Sequence, residues 1–449
     1  PRKDLAHSAV QHELFASRFY CVVEEMGAQL KRTAISVNVR ERLDFSCALL
    51  DQSGYLVANA PHIPVHLGAL GLCVRHSIQA IPEIKEGDIL ITNHPGFGGS
   101  HLPDITVFAP VFDRNGNILC FLANRAHHSE IGGISPGSMP AGSKDLGQEG
   151  VVIPPMHIFQ NRHSKLNEII NLLNAGKYPS RQPEENRADL SAQIASLRRG
   201  IKEMQMLEAE HSTEELQRHM NELRLDSHKH CRSFLKNWGD GILTTTQKFD
   251  DGDQLVLKVS INDGRATFDF SGTSPARTDN LNATEAITMS AICYCLRVLI
   301  DEELPLNEGL LEPVSTIIPQ GSILSPVFPE NPDDCPAVAG GNVEVSQKLV
   351  DLVLSAFERV ACSQGTMNNV TFGNQSYSHY ETIGGGAGAK IGQEGTSAVQ
   401  VHMTNTAITD PEILESRFPV RLLSFKIRTS SGGTGAWKGG NGIEREYIF

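Results

Sequence analysis

The chain has 449 residues, of which 40% are hydrophobic and 20% charged, with a net charge of −13. That composition belongs to a globular protein with room for two or three domains, and it excludes a disordered chain. The acidic balance excludes a general nucleic-acid or anionic-membrane surface, and no apolar run has the length of a membrane span or of a signal-peptide core near the start.

Phe15, Phe19, Val22 and Met26 recur at spacings of three and four, which predicts a helix from His7 to about Ala34. Arg42 to Leu50 and Tyr55 to Ala58 read as strands joined at Asp51-Gln52-Ser53-Gly54. Asp88 to Thr92 is a short apolar strand that enters a glycine-rich loop at 93–99. Val107 to Phe112 and Ile118 to Phe121 flank Asp113-Arg114-Asn115-Gly116, a hairpin signal. Residues 132–155 are rich in Gly, Pro and Ser and predict an ordered loop or lid.

Between Asp189 and Lys236 there is no proline and one glycine, Gly200, while Leu190, Ile194, Leu197, Ile201, Met204 and Leu207 trace one apolar stripe. Ser212 with Glu215 forms a capping box for a second helix. An antiparallel helical hairpin is expected, its charged outer face solvated or docking a partner. Beyond it, Leu255 to Ile261 and Arg265 to Phe270 flank the turn Asn262-Asp263-Gly264. Residues 284–300 and 343–360 read as buried helices. Glycine clusters follow at 384–388 and 432–440, and Val420 to Phe449 has β character up to its last residue, as a truncated domain would. The start at Pro1 likewise fits a processed chain or a piece of a longer one. Nine cysteines without a CxxC pair fit reduced thiols and a cytoplasmic location.

The expected fold class is mixed α/β (α+β), multi-domain, with mixed sheets, glycine-rich loops and a central helical hairpin. Residues 1–188 form a metal-site domain, 189–240 the hairpin insertion, and 241–449 a second α/β domain that completes the active site.

Chemistry concentrates in Ser100-His101-Leu102-Pro103-Asp104 and Arg125-Ala126-His127-His128-Ser129-Glu130, set hard against Gly98-Gly99 and Gly132-Gly133. The intervening hairpin returns the second group to the first. Imidazole and carboxylate together suit a divalent metal of the zinc, manganese or iron type. His101 and His127 are the expected ligands; Asp104 either ligates or orients a ligating histidine. Neighbours in a strand point to opposite faces, so at most one of His127 and His128 ligates. Glu130 is a candidate general base. Asp44, at the head of an apolar strand, needs a cation or an arginine such as Arg42. His62 and His66, near two prolines, are structural or ligating histidines. His402-Met403-Thr404-Asn405-Thr406 with Asp410-Pro411-Glu412 is either a turn with a helix cap or a substrate-binding cluster. Gly385 and Gly386 lie in a run that lacks the phosphate-loop pattern but can present backbone N–H groups to an anion. No nucleotide motif is evident.

Several of these segments carry a resemblance. Glu41-Arg42-Leu43-Asp44-Phe45-Ser46-Cys47-Ala48, Asn59-Ala60-Pro61-His62-Ile63-Pro64-Val65-His66-Leu67-Gly68 and Gly98-Gly99-Ser100-His101-Leu102-Pro103-Asp104 resemble the hydantoinase B and 5-oxoprolinase family. So do Gly132 to Pro140 and Gly340-Gly341-Asn342-Val343-Glu344. Gln364 to Asn369 and His402 to Glu415 look most like the 5-oxoprolinase branch. The family also includes the metal-bearing subunits of acetone and acetophenone carboxylases. Two positions depart from its pattern: Ala126 stands where glycine is usual, and Glu130 where aspartate is usual.

The resemblance implies a division of labour. A hydantoinase A-type ATPase subunit, or an N-terminal half of actin-like fold, binds ATP and phosphorylates an amide oxygen. The present chain then opens a lactam or hydantoin ring of the 5-oxoproline type within a hetero-oligomer. Asp44, His101, Asp104 and His127 stand at the expected metal site, with Glu130 or His128 shuttling protons. His66, Gly385, Gly386, His402 and Asn405 are candidate substrate contacts. The alternatives are a subunit of an ATP-dependent ketone carboxylase, which the 5-oxoprolinase-like motifs disfavour, and a non-catalytic subunit that docks through the helical hairpin. Chains of this family are often longer, which implies a missing C-terminal part.

Overall fold

The computed structural model describes residues 2–60, 63–161, 163–300 and 302–449, with side chains from Val10 onward. His62 lies outside the described residues. The architecture is mixed α+β, with one large sheet and several small ones and no barrel.

Helix α1 (Arg2–Thr33) buries Phe15, Phe19, Val22, Met26 and Leu30 on one face, as their spacing predicts. It packs on a seven-stranded antiparallel sheet of order β2-β1-β5-β4-β3-β6-β7. The strands are β1 (Phe45–Asp51), β2 (Leu56–Asn59), β3 (Ile89–Thr92), β4 (Asp104–Phe112), β5 (Ile118–His127), β6 (Met156–Gln160) and β7 (His163–Ser164). Helix α2 (Ala69–Ala80) covers the opposite face with Leu70 and Val74 against Leu50, Leu90, Phe108 and Phe121. With both faces covered, β4 and β5 are buried almost end to end. They run further than the apolar spans alone predict, because their polar ends, Asp104 and His127, continue the ladder.

The helical pair is α3 (Pro183–Glu210) and α4 (Thr213–Trp238). Pro183 at the first turn starts α3 ahead of its apolar stripe, where a missing N–H costs nothing. Ser212 Oγ accepts the Glu215 N–H at 3.1 Å, one half of the expected capping box. Leu190, Leu197, Met204, Leu216 and Leu223 join α1 and the sheet in one core, so the pair is part of the wall of that core.

A second core is built on a four-stranded sheet of order β11-β10-β9-β8, from β8 (Gly241–Lys248), β9 (Gln254–Asn262), β10 (Arg265–Asp269) and β11 (Val314–Ile317). Leu255, Leu257, Val259 and Ile261 alternate inward from β9. They meet α5 (Glu285–Leu299) and α6 (Ser346–Ala356), the latter entered through a π-turn at Gly341–Val345. Two hairpin sheets complete the chain: β12 (Asn369–Gly373) with β13 (Ser378–Thr382), and β14 (Arg421–Ile427) with β15 (Ile443–Ile448). All nine cysteines are free thiols. Among the described residues no helix is long and apolar enough to cross a membrane.

Candidate metal centre

The β4–β5 ladder sets Asp104 directly opposite His127. His101 arrives from the turn that leads into β4, where the Asp104 N–H donates to the His101 carbonyl at 3.2 Å. Just upstream, Gly98 closes the turn that precedes it, its N–H donating to the Pro95 carbonyl. It holds φ +84°, and a Cβ there would sit 2.7 Å from the Cys73 backbone. His101, Asp104 and His127 are buried, and one potential ligand atom from each lies within 4.8 Å of the others. Asp44, whose carbonyl accepts the His127 N–H, places Oδ2 3.9 Å from His127 Nδ1 and 3.7 Å from an Arg42 nitrogen. Both sequence readings of Asp44 therefore meet in one position.

Asp104 is organised asymmetrically. Its Oδ2 accepts from Ser100 Oγ at 2.5 Å and from His66 Nε2 at 3.1 Å, and lies 3.2 Å from His101 Nδ1. Ser46 Oγ accepts the Ile63 N–H and lies 2.8 Å from His66 Nδ1, so its hydroxyl proton is available to that nitrogen. The proton of His66 then sits on Nε2, directed at the carboxylate. Asp104 Oδ1 has no hydrogen-bond partner, and neither do His101 Nε2 and His127 Nε2. Three acceptor-type atoms of one buried cluster that lack a hydrogen-bond partner are costly in an apolar interior unless a cation satisfies the cluster. The donor set of two imidazoles and one or two carboxylates fits a divalent ion of the zinc, manganese or iron type.

Electrostatics agree with that fit. Burial alone would raise the Asp104 carboxyl, but the imidazoles of His101 and His66 hold it well below the usual carboxylate range. Burial lowers His127 below the ordinary histidine value despite Asp44 and Asp104 nearby, which keeps its ring neutral. Tyr380 from β13 stacks on the His127 ring at 4.6 Å and 5°, and the buried Arg42 lies 5.0 Å over the Tyr380 ring. Arg42 also donates to Asn38 Oδ1, Tyr380 O and Thr406 Oγ1, so it ties the 402–406 segment to the cluster.

The other predicted residues lie elsewhere. His128 points to the opposite face, as strand alternation requires. It accepts from Asn186 Nδ2 at 3.3 Å and faces Gln193 Oε1 at 3.0 Å, and burial lowers its pKa. Glu130 accepts from the N–H groups of Gly132 and Gly137 and from Arg181. Burial raises its carboxyl despite those donors. None of the hydrogen bonds described for either residue reaches the cluster. A Cβ on Gly385 would meet the Gln364 side chain, and Gly386 combines φ +87° with the Gly440 backbone 2.6 Å from where its Cβ would sit. His402 and Asn405 line a cavity of about 1090 Å³ together with Pro64 and Leu67. His66, between those two residues in sequence, points the other way to Asp104. Sequence reasoning missed Ser46, Ser100 and Tyr380; Ser100 adjoins the histidine motif, but Tyr380 carries no local signal.

Residues 8–449 match the hydantoinase B/oxoprolinase family. The chain is similar to 5-oxoprolinase 1 of Arabidopsis thaliana, 46% identical over 98% of this chain and 36% of that protein. It therefore spans little more than a third of that relative's length. It also resembles a putative D-/L-hydantoinase subunit of Pseudomonas sp., 28% identical over 95% of this chain and 76% of that protein. Its fold is shared with an ATP-dependent caprolactamase from Pseudomonas jessenii, at a TM-score of 0.87 and 24% identity, over 98% of this chain and 78% of that one.

Proposed function

We propose that this chain, which belongs to the hydantoinase B/oxoprolinase family, is the part of an ATP-dependent cyclic amidase that opens a lactam or hydantoin ring. The observation that carries this reading is the buried His101–Asp104–His127 cluster with its three orphaned atoms. The relatives named 5-oxoprolinase, D-/L-hydantoinase and ATP-dependent caprolactamase support the substrate class. The hydantoinase relative is named as a subunit, and the oxoprolinase is far longer than this chain. Both facts support an ATPase partner or an ATPase half of a longer chain.

An amide carbonyl is a poor electrophile because resonance delocalises the nitrogen lone pair. Phosphorylating the oxygen with ATP removes that protection and creates a leaving group. A divalent ion held by His101, Asp104, His127 and Asp44 would supply Lewis acidity and lower the pKa of water at the site. The chain's own residues do the rest. Ser100 and His66 load one oxygen of Asp104 with donors and leave the other free to face His127. Tyr380 stacks on the His127 ring with Arg42 over it, which fixes the orientation of that imidazole. In this reading Glu130 and His128 fix the 130–137 loop and the β5–α3 contact, and His66 positions a ligand without touching substrate.

The test is ATP hydrolysis by this chain with and without its ATPase partner, in the presence and absence of lactam. Hydrolysis that needs both, and that His101→Ala lowers on the order of 100-fold, is expected. Full turnover by this chain alone would rule out the two-component reading, and bicarbonate-dependent turnover of a ketone would move the chemistry to carboxylation.

A further inference from the structure

The cavity beyond the Pro64–Leu67 turn has walls that are mostly apolar, with Leu67, Leu304, Leu354 and Val401 among them. Its polar corner is made by Tyr294 of α5 and His402. His402 is 8% exposed and holds φ +58°, a left-handed conformation that a non-glycine residue adopts only when its surroundings enforce it. Its ring is held by Asp351 of α6. His402 Nε2 lies 3.1 Å from Asp351 Oδ1, and that carboxylate is fixed in turn by the N–H and the hydroxyl of Ser363 at 2.8 and 3.1 Å.

An ionised carboxylate only accepts, so Nε2 carries the imidazole proton and Nδ1 presents a lone pair. The Tyr294 hydroxyl lies 3.5 Å from that Nδ1. Burial pushes the phenol up to about 12, so it stays a donor at neutral pH. The cavity thus sets one acceptor and one donor side by side in a wall that is otherwise mostly apolar. Arg297, Glu302 and Glu303 also reach its wall and bring charges of both signs.

A small cyclic amide is locked cis, so its N–H and C=O project from the same edge. An open-chain secondary amide is trans and projects them in opposite directions. We propose that Tyr294 and His402 bind the edge of a small cyclic amide, the ring N–H donating to His402 Nδ1 and the Tyr294 hydroxyl donating to the ring carbonyl. The ring methylenes then meet the apolar wall. This assignment rests on the hydrolase reading and deepens it: the pair selects ring over open chain before any bond is broken. Asp351 is a positioning residue that acts through the tautomer of His402.

The experiment is a titration of the 449-residue chain with 2-pyrrolidinone and with N-methylacetamide, followed by ligand-observed NMR. The cyclic amide is expected to bind the more tightly. Tyr294→Phe and His402→Gln should each weaken it roughly 3- to 10-fold, the range of a lost neutral hydrogen bond, while leaving N-methylacetamide unchanged. Asp351→Asn should weaken it to a similar degree and move the His402 ring nitrogen shifts to those of the other tautomer. Tyr294→Phe removes one oxygen and keeps the ring packing, so it remains informative if a His402 variant does not fold. Absence of 2-pyrrolidinone binding by the parent, or equal affinity in a folded Tyr294→Phe variant, would overturn the assignment. The hydrolase reading fails separately. Tyr294-dependent binding without lactam-dependent ATP hydrolysis removes that reading and leaves the site, whereas hydrolysis indifferent to Tyr294→Phe leaves the reading and removes the site.

Discussion

Asp104 has two donors and the His101 ring at one oxygen and no hydrogen bond at the other, and that imbalance is the ground for its proposed role as a ligand. His66 is the residue whose role changes most between sequence and structure. Its motif marks it as a substrate contact, yet its ring bridges Ser46 and Asp104 inside the protein. That bridge was illegible in sequence because it joins β1, the 64–66 turn and β4, three segments with no periodic relation to one another. His66→Ala should lower metal affinity by about 10–100-fold, the usual effect of removing a group that orients a ligand, without abolishing binding. Competition with a chromogenic chelator measures this, and an unchanged affinity would return His66 to the substrate side. The meeting of His101 and His127, by contrast, was readable from residue type, glycine flanks and the hairpin between them. Tyr380 was not, since only the folding of β13 across the cluster brings it to the His127 ring.

At the scale of elements, the periodic segments announced themselves. The stripe on α1, the Ser212 cap of α4 and the Asn262-Asp263-Gly264 turn each obey a local rule, and each formed as that rule requires. Where polarity interrupted the pattern, the reading stopped short: β4 and β5 continue through Asp104 and Arg125 because Ser100 and His66 donate to one oxygen of Asp104, and Thr106 and Gly98 accept from Arg125. The loop before β4 depends on Gly98. Gly98→Ala would need a left-handed alanine and would push its methyl onto the Cys73 backbone of α2. A loss of about 2–4 kcal/mol is expected from the two costs together, along with weaker metal binding because His101 follows in the same loop. Urea denaturation with and without added metal checks both; a variant as stable as the parent would show that the loop can re-route.

Across the whole molecule, three apolar clusters fill the interior, and the C-terminal sheets are tied on by a polar lock. Arg445 and Tyr447 of β15 and the Thr409 N–H all converge on Glu381 of β13. Burial alone would raise the Glu381 carboxyl, but His379 and Arg445 bring it down to about 2. A carboxyl depressed in the folded state stabilises it above the unfolded carboxylate range, and that stability is lost as pH falls through the folded value. Glu381→Gln should therefore cost about 3 kcal/mol near pH 7, and the deficit should shrink as pH falls toward 2, where the parent loses the same contribution. Denaturation at pH 7 and pH 3 reads the difference; a deficit independent of pH would assign the cost to packing instead. Such a lock, assembled from residues 381, 409, 445 and 447, was out of reach of sequence patterns, which register neighbours along the chain and not across it.

The central claim is that the cluster on β4 and β5 holds one divalent metal. Elemental mass spectrometry of the purified, metal-supplemented chain, beside a His101→Ala, His127→Ala variant shown by circular dichroism to be folded, tests it most directly. The proposal predicts close to one equivalent of metal per chain (~1, from one site of three to four ligands) in the parent and its loss in the variant. A metal-free parent, or a variant that keeps its metal, would contradict the account.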